Sequence, residues 1–352
     1  MTSPFALQSR AVEVANDYDA IFDYCYEQGW TDGLPIVPPT PERVERFVAA
    51  SSRRPDEVIA EVPVARAEAT IERIAVNAIM AGCRPEYMST VIAAVEAMCE
   101  PQFNLDGVNP TTNPCTVALV INGPVRRLID VNSGYNCLGP GWRANATIGR
   151  AVRLILLNVG GAKPGEGDKA AHGFPGKYTF CFGECEEESP WEPLHVERGF
   201  QRTDSTVTVM ASNGTLNSVT AGFLRIKDRL LMGANAMSQM ASNHCILGRG
   251  EPALLMGPEF AKLLAAEGMS KADVKQFLYD NSGFPTEKLP AERIRSERQL
   301  AVTRNGVIRP ARRPEDIMVL VAGGPSPSHI VYIPTLGDSL SVTRRVRLPA
   351  NA

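Results

Sequence analysis

No hydrophobic run in this chain is long enough to cross a bilayer; the longest, AVRLILLNVGG at 151–161, is short and carries Arg153. The N-terminal stretch MTSPFALQSRAVEVANDYD lacks the basic start and apolar core of a secretory signal, which points to the cytoplasm and away from the membrane. Excess positive charge is missing too. With 36 Lys and Arg against 39 Asp and Glu, the formal net charge is −3, so no basic field favours nucleic acid. The eight cysteines include no CxxC pair, and the closest approach, CFGEC at 181–185, fits neither a zinc ribbon nor a thioredoxin motif. In a reducing compartment most of them read as small buried hydrophobes. GxxxxGK[ST], GxGxxG and HExxH are absent, which removes the nucleotide motifs and the zinc-protease motif. Heptads, repeats and low-complexity tracts are absent as well, excluding coiled coils and solenoids.

What remains is the composition of a globular protein, 44% hydrophobic and 21% charged over 352 residues, long enough for two lobes or one enlarged α/β domain. The first part, 1–115, reads as mainly helical. A helix is expected over DYDAIFDYCYEQG, and another begins at Thr40-Pro41, a cap residue followed by proline. An αα-hairpin follows, with Ile71, Ile74, Ala75 and Ile79 on one face and a break at 82–84. From 116 to 352 the pattern becomes sheet-centred. TVALVIN, KYTFCF (177–182), STVTVMA (205–211), PALLMG (252–257), EDIMVLVAGG (315–324), HIVYIP and SVTRRVRL are strand candidates. Helices fit PEFAKLLAAEG and SKADVKQFLYDNSG, the latter with Ser270 and Asp273 in capping-box spacing. This predicts an α/β fold with a mixed or largely parallel sheet and flanking helices, ligands gathering beyond strand ends such as Gly323-Gly324.

The segment 132–199 concentrates glycine, proline, aromatics and chemically capable side chains, and carries the predicted site. Of the four histidines, His172, His195, His244 and His329, His195 is the first choice for general acid/base, since Glu192, Glu197 and Arg198 surround it in sequence. His172 is the second. Cys181 and Cys185 are the thiol nucleophiles or ligands; on a strand they would share a face, and Lys177 or His172 would supply the cation that a thiolate needs. Gly139-Pro140-Gly141 leads into a helix near Ala144, so free amides with Arg143 form an anion site. Arg143, Lys177, Asn145 and Trp142 make up the substrate-binding set. A divalent transition metal, if bound, would draw on His172, His195, Glu184 and Cys185.

The phrases TDGLPIVPPT, NAIMAGCRPEYM, GPGWRANATIGRAVRLILLNVGG, PGKYTFCFGECEEESPWEPLHVERGF and VAGG…VTRR resemble an uncharacterised bacterial family that is similar to, or found alongside, UGSC-type (seleno)proteins. The UGSC tetrapeptide itself does not occur. The resemblance implies a bacterial cytosolic origin and thiol chemistry. Together these readings predict an enzyme of lyase or hydrolase type acting on a small polar or anionic metabolite. Two alternatives stand beside it. One is a thiol redox enzyme cycling Cys181 with Cys185, or Cys137 with either; the other is a non-catalytic subunit. A homo-oligomer, or a hetero-oligomer with a co-encoded protein, is expected.

Overall fold

Asp17 accepts a hydrogen bond from the Ala20 amide and starts α1 (Tyr18–Glu27), a side-chain acceptor satisfying one of the free amides of a first turn. The computed structural model describes residues 6–239, 247–248, 250–293 and 297–349; His244 therefore lies outside the described residues. Pro41 opens α2 (Pro41–Ser51) as expected. The predicted hairpin is α3 (Ile71–Ala81) and α4 (Met88–Met98), joined through Gly82 in the left-handed conformation. Thr70 caps α3 by accepting from the Arg73 amide. The N-terminal part is less purely helical than expected, because an antiparallel pair, β1 (Val58–Val62) and β2 (Ala67–Thr70), precedes α3.

Two four-stranded sheets follow instead of one. In the first, β3 (Thr116–Asn122) runs parallel to β4 (Cys181–Gly183) and antiparallel to β5 (Thr206–Ser212). A helix, α5 (Arg143–Asn158), connects the two parallel strands. The chain then crosses to the second sheet with β6 (Leu216–Val219), the helix α6 (Ile226–Ala236) and β7 (Ala253–Met256). Next come α7 (Pro258–Ala266) and α8 (Lys271–Asn281), whose Ser270–Asp273 capping box forms as predicted. The sheet is completed by β8 (Met318–Val321), parallel to β7, and β9 (His329–Ile333), antiparallel to both β7 and β6. The last strand, β10 (Val342–Arg345), returns to pair with β5 in the first sheet. Both sheets are thus mixed, each with one parallel pair, rather than largely parallel.

Strand alternation explains the layering. Val117, Leu119 and Ile121 of β3 pack with α3, α4 and α5, and Leu254, Met256, Val319 and Val321 pack with α6, α7 and α8. The opposite faces, Ala118, Val120 and Phe182 against Leu255, Met318 and Leu320, meet in a core between the sheets. The order is helix, sheet, sheet, helix. The core of the first sheet runs from Cys25 on α1 to Val346 beyond β10, so position 115 does not separate two packing units.

The two sheets repeat one wiring. Each has a central strand, a helical crossover to a parallel neighbour, then two antiparallel strands. Corresponding bonds recur: the Glu184 amide donates to the Ile121 carbonyl at 3.2 Å, and the Ala322 amide to that of Met256 at 3.0 Å. Where β5 and β9 exit, Ser212 bridges Thr335, with Asn213 N donating to Pro334 O and Leu336 N to Ala211 O, both at 2.8 Å. The fourth strands are exchanged, since β6 serves the second sheet and β10 the first. Among the described residues no helix is long and apolar enough to cross a membrane.

Candidate functional site

The inner face of the first sheet turns polar where β3 and β4 end. Asn122, Glu184 and Thr206 are fully buried there, and so is His195 on the adjoining turn. Asn122 and Thr206 are register partners across β3 and β5. Glu184 follows the last residue of β4, and one of its oxygens, Oε2, accepts from Asn122 Nδ2 at 2.7 Å and from the Leu194 amide at 2.8 Å. That second bond ties the helical turn Leu194–Glu197, which carries His195, to the strand end. The other oxygen, Oε1, has no hydrogen-bond partner among the described residues, and Lys271 Nζ on α8 lies 4.0 Å away. Asn122 Oδ1, Thr206 Oγ1 and both ring nitrogens of His195 are likewise unpartnered. Unpaired buried polar atoms are costly, so native structures keep few of them.

The charges beside His195 in sequence are engaged elsewhere. Glu197 binds Lys271 at 3.0 Å and also Lys275, both on α8. Burial opposes ionisation of Glu197, but the two lysines win and hold its pKa below the usual value. Arg198 reaches Ser341, Thr343 and Glu251. On the other side of the strand end, Glu186 accepts from the Gly123 amide at 2.6 Å, and Glu187 pairs with Arg126 and Arg127.

The structure places His195 on the turn whose Leu194 amide bonds Glu184, and disperses most of the other predicted residues. His172 is exposed in the irregular stretch before Pro175. Lys177 lies in a 3-10 turn rather than a strand, and its Nζ pairs with the buried Asp168 at 2.7 Å, alongside Arg153 at 3.0 Å. Asn145 is buried and structural. Its Oδ1 accepts from the Asn132 amide at 2.8 Å, and its Nδ2 donates to the carbonyls of Asn132 and Cys137. Trp142 precedes α5, with no side-chain cap bond. Arg143 donates to the Gly82 carbonyl at 2.9 Å and the Cys83 carbonyl at 3.4 Å, at the turn between α3 and α4.

Cys181 and Cys185 do not share a face. The strand ends at Gly183, so the period-two alternation stops before it reaches Cys185. Cys181 packs under the helices of the first sheet, and Cys185 joins the core of the second. Burial pushes both thiols above the ordinary range, away from thiolate. Neither Lys177 nor His172 serves as their cation. Among the described residues, no three His, Cys, Asp or Glu side chains gather so as to hold a metal ion, which breaks up the set His172, His195, Glu184 and Cys185. The Gly323-Gly324 turn is occupied by protein: Gly323 N donates to Ser133 O at 2.9 Å, and a Cβ on Gly324 would strike the Tyr135 ring at 2.3 Å.

Sequence reasoning missed Asn122, Thr206 and Lys271. The signal in Asn122 was available: it is an amide closing an otherwise apolar strand, TVALVIN, directly before Gly-Pro. No family model, curated protein or solved structure matches this chain.

Proposed function

We propose that this chain is an enzyme of lyase or hydrolase type, acting on a small polar metabolite, with its proton chemistry at Glu184 and His195. One observation carries the reading. By the repeat of the two sheets, Glu184 corresponds to Ala322 and Asn122 to Gly257, so the same strand ends in the second sheet need no buried carboxylate or amide. The wiring of the sheet itself therefore does not require this polar set. The set is also poised: Glu184 is anchored through one oxygen and open at the other, as a general base requires. An imidazole with both nitrogens open offers one position to take a proton and another to give one. Because both groups are enclosed, turnover needs the turn Leu194–Glu197 and the facing Lys271 to move aside, a gating step of an ordinary kind.

Of the redox pairings, Cys181 with Cys185 is not favoured, since the two sit in different cores and burial raises both thiols. Cys137 with Cys185 stands as the remaining redox pairing, the two thiols being close enough for Cys185 to help raise that of Cys137. The likeness to UGSC-type proteins adds an expectation of thiol chemistry that buried thiols do not favour. The test is turnover on a panel of small hydroxy acids, amides and esters. Glu184→Gln and His195→Gln should each lower turnover by about 10²–10⁴-fold while leaving the native circular dichroism spectrum intact. Full activity in both variants would sink the assignment.

A further inference from the structure

A hollow of about 390 Å³ opens on the helical side of the first sheet, and four arginines line it: Arg43 and Arg46 from α2, Arg84 from the α3–α4 turn and Arg143 from the start of α5. Arg43 and Arg46 are three apart on one helix, so they face the same way. Glu86 is the single carboxylate among the lining residues. Several arginines elsewhere are matched with acids, Arg53 with Glu57 and Glu96, Arg126 with Glu186 and Glu187, and Arg150 with Asp32, while Arg229 and Arg309 are held by carbonyls. Arg46 and Arg84 make no ion pair or side-chain hydrogen bond among the described residues. Arg43 and Arg143 are steadied only by carbonyls, Arg43 by Pro38 at 2.6 Å and Arg143 by Gly82 at 2.9 Å and Cys83 at 3.4 Å. A guanidinium held by carbonyls through one or two of its five N–H groups keeps the others free, and its restrained position limits the entropy lost on binding.

We infer that this hollow is a binding site for a small organic anion carrying two or more carboxylate or phosphoryl groups. Like charges converging in a chain of net charge −3 are unfavourable until an anion joins them. Guanidinium groups bind carboxylate and phosphate alike through paired N–H donors. The floor, Phe47 and Ile79, is apolar and suits the carbon part of such a ligand. The start of α5 adds to the attraction, because Trp142 caps none of its first amides. A second hollow of about 490 Å³ makes the contrast: Arg53 there is bound to Glu57 and Glu96, and Arg345 is bound to Asp204. The inference uses none of the residues of the acid–base reading and is measured without turnover, so either can fail alone.

The experiment is calorimetric titration of the whole chain with citrate and with pyrophosphate, at low and at physiological salt. Saturable binding of one ligand per chain is expected, weakening as salt rises. Arg84→Gln, at an exposed position without partners and so safe for folding, should weaken it by about 10-fold, and Arg143→Gln by at least as much. Arg347→Gln, in the second hollow, should leave it unchanged. Binding of citrate alone, of pyrophosphate alone or of both supports the site and distinguishes carboxylate from phosphoryl ligands. Absence of saturable binding to either, or binding indifferent to Arg84→Gln and Arg143→Gln, overturns it.

Discussion

Replacing His195 by leucine should make the protein more stable while removing its proposed activity. The ring is fully buried and neither nitrogen has a hydrogen-bond partner among the described residues. A neutral imidazole carries one donor and one acceptor, and a buried polar group left unsatisfied costs about 1–3 kcal/mol. Leucine removes that cost but fits a differently shaped space, which takes back about 1 kcal/mol. A net gain of about 2 kcal/mol is expected. Unfolding of 352 residues as one unit carries an entropy of about 0.7 kcal/mol/K, so the melting temperature should rise by about 3 °C. Differential scanning calorimetry at neutral pH reads the shift directly, with His195→Gln as a polar control that keeps hydrogen-bonding capacity. A fall of several degrees in the leucine variant, with the glutamine variant close to wild type, would refute the reasoning. It would mean that the ring is hydrogen-bonded in the native protein and serves the fold. Stabilisation with loss of activity is the pattern of a functional residue kept at the expense of stability.

Burial raises the thiols of Cys83, Cys99 and Cys115 to about 12 and that of Cys137 to about 11. Below the unfolded thiol pKa both states hold these protons; as pH climbs toward the folded values the unfolded chain loses them first, so stability falls by about 1.4 kcal/mol per pH unit for each such thiol. Urea denaturation at several pH values between 8 and 10.5 should show this decline and a shallower one for Cys115→Ala; equal slopes would contradict the burial argument. Gly149→Ala should destabilise by about 1–3 kcal/mol although alanine ordinarily favours a helix, because the added Cβ would lie 2.4 Å from Thr179 Oγ1 and 2.7 Å from the Phe180 amide. A higher melting temperature for that variant would mean that α5 does not sit so closely on the strand.

Local signals were legible in the chain because they act locally. The apolar spacing of Ile71, Ile74 and Ile79, the Thr40-Pro41 start and the Ser270–Asp273 box all predict elements that form. The strand candidates at 205–211 and 252–257 fall within a residue or so of β5 and β7. Pairing was not legible, since β10 meets β5 across more than a hundred residues and no periodicity encodes that distance. Two sheets packed face to face leave strands apolar on both sides, the same pattern as a single buried parallel sheet. The β1–β2 pair, VIAEV and AEAT, is short and has too little alternation to stand out. At the site, the residue types around His195 were visible, but which of them stay unpaired is settled by tertiary packing. Glu197 and Arg198 look like partners of His195 in sequence and find Lys271, Lys275 and Glu251 in space.

The exchange of fourth strands has a mechanical consequence. The second sheet occupies 216–333 without interruption, whereas the first needs both 116–212 and 342–345. No single backbone cleavage can therefore release two intact sheets. A nick between β5 and β6 leaves the C-terminal fragment with a whole sheet and a stray strand, and leaves the N-terminal fragment one strand short. The fragments then have reason to stay together, because β10 is the piece that closes the other's edge. A pull on β10 would be felt first at β5, more than a hundred residues back along the chain, and in the sheet opposite to the one the chain has just completed.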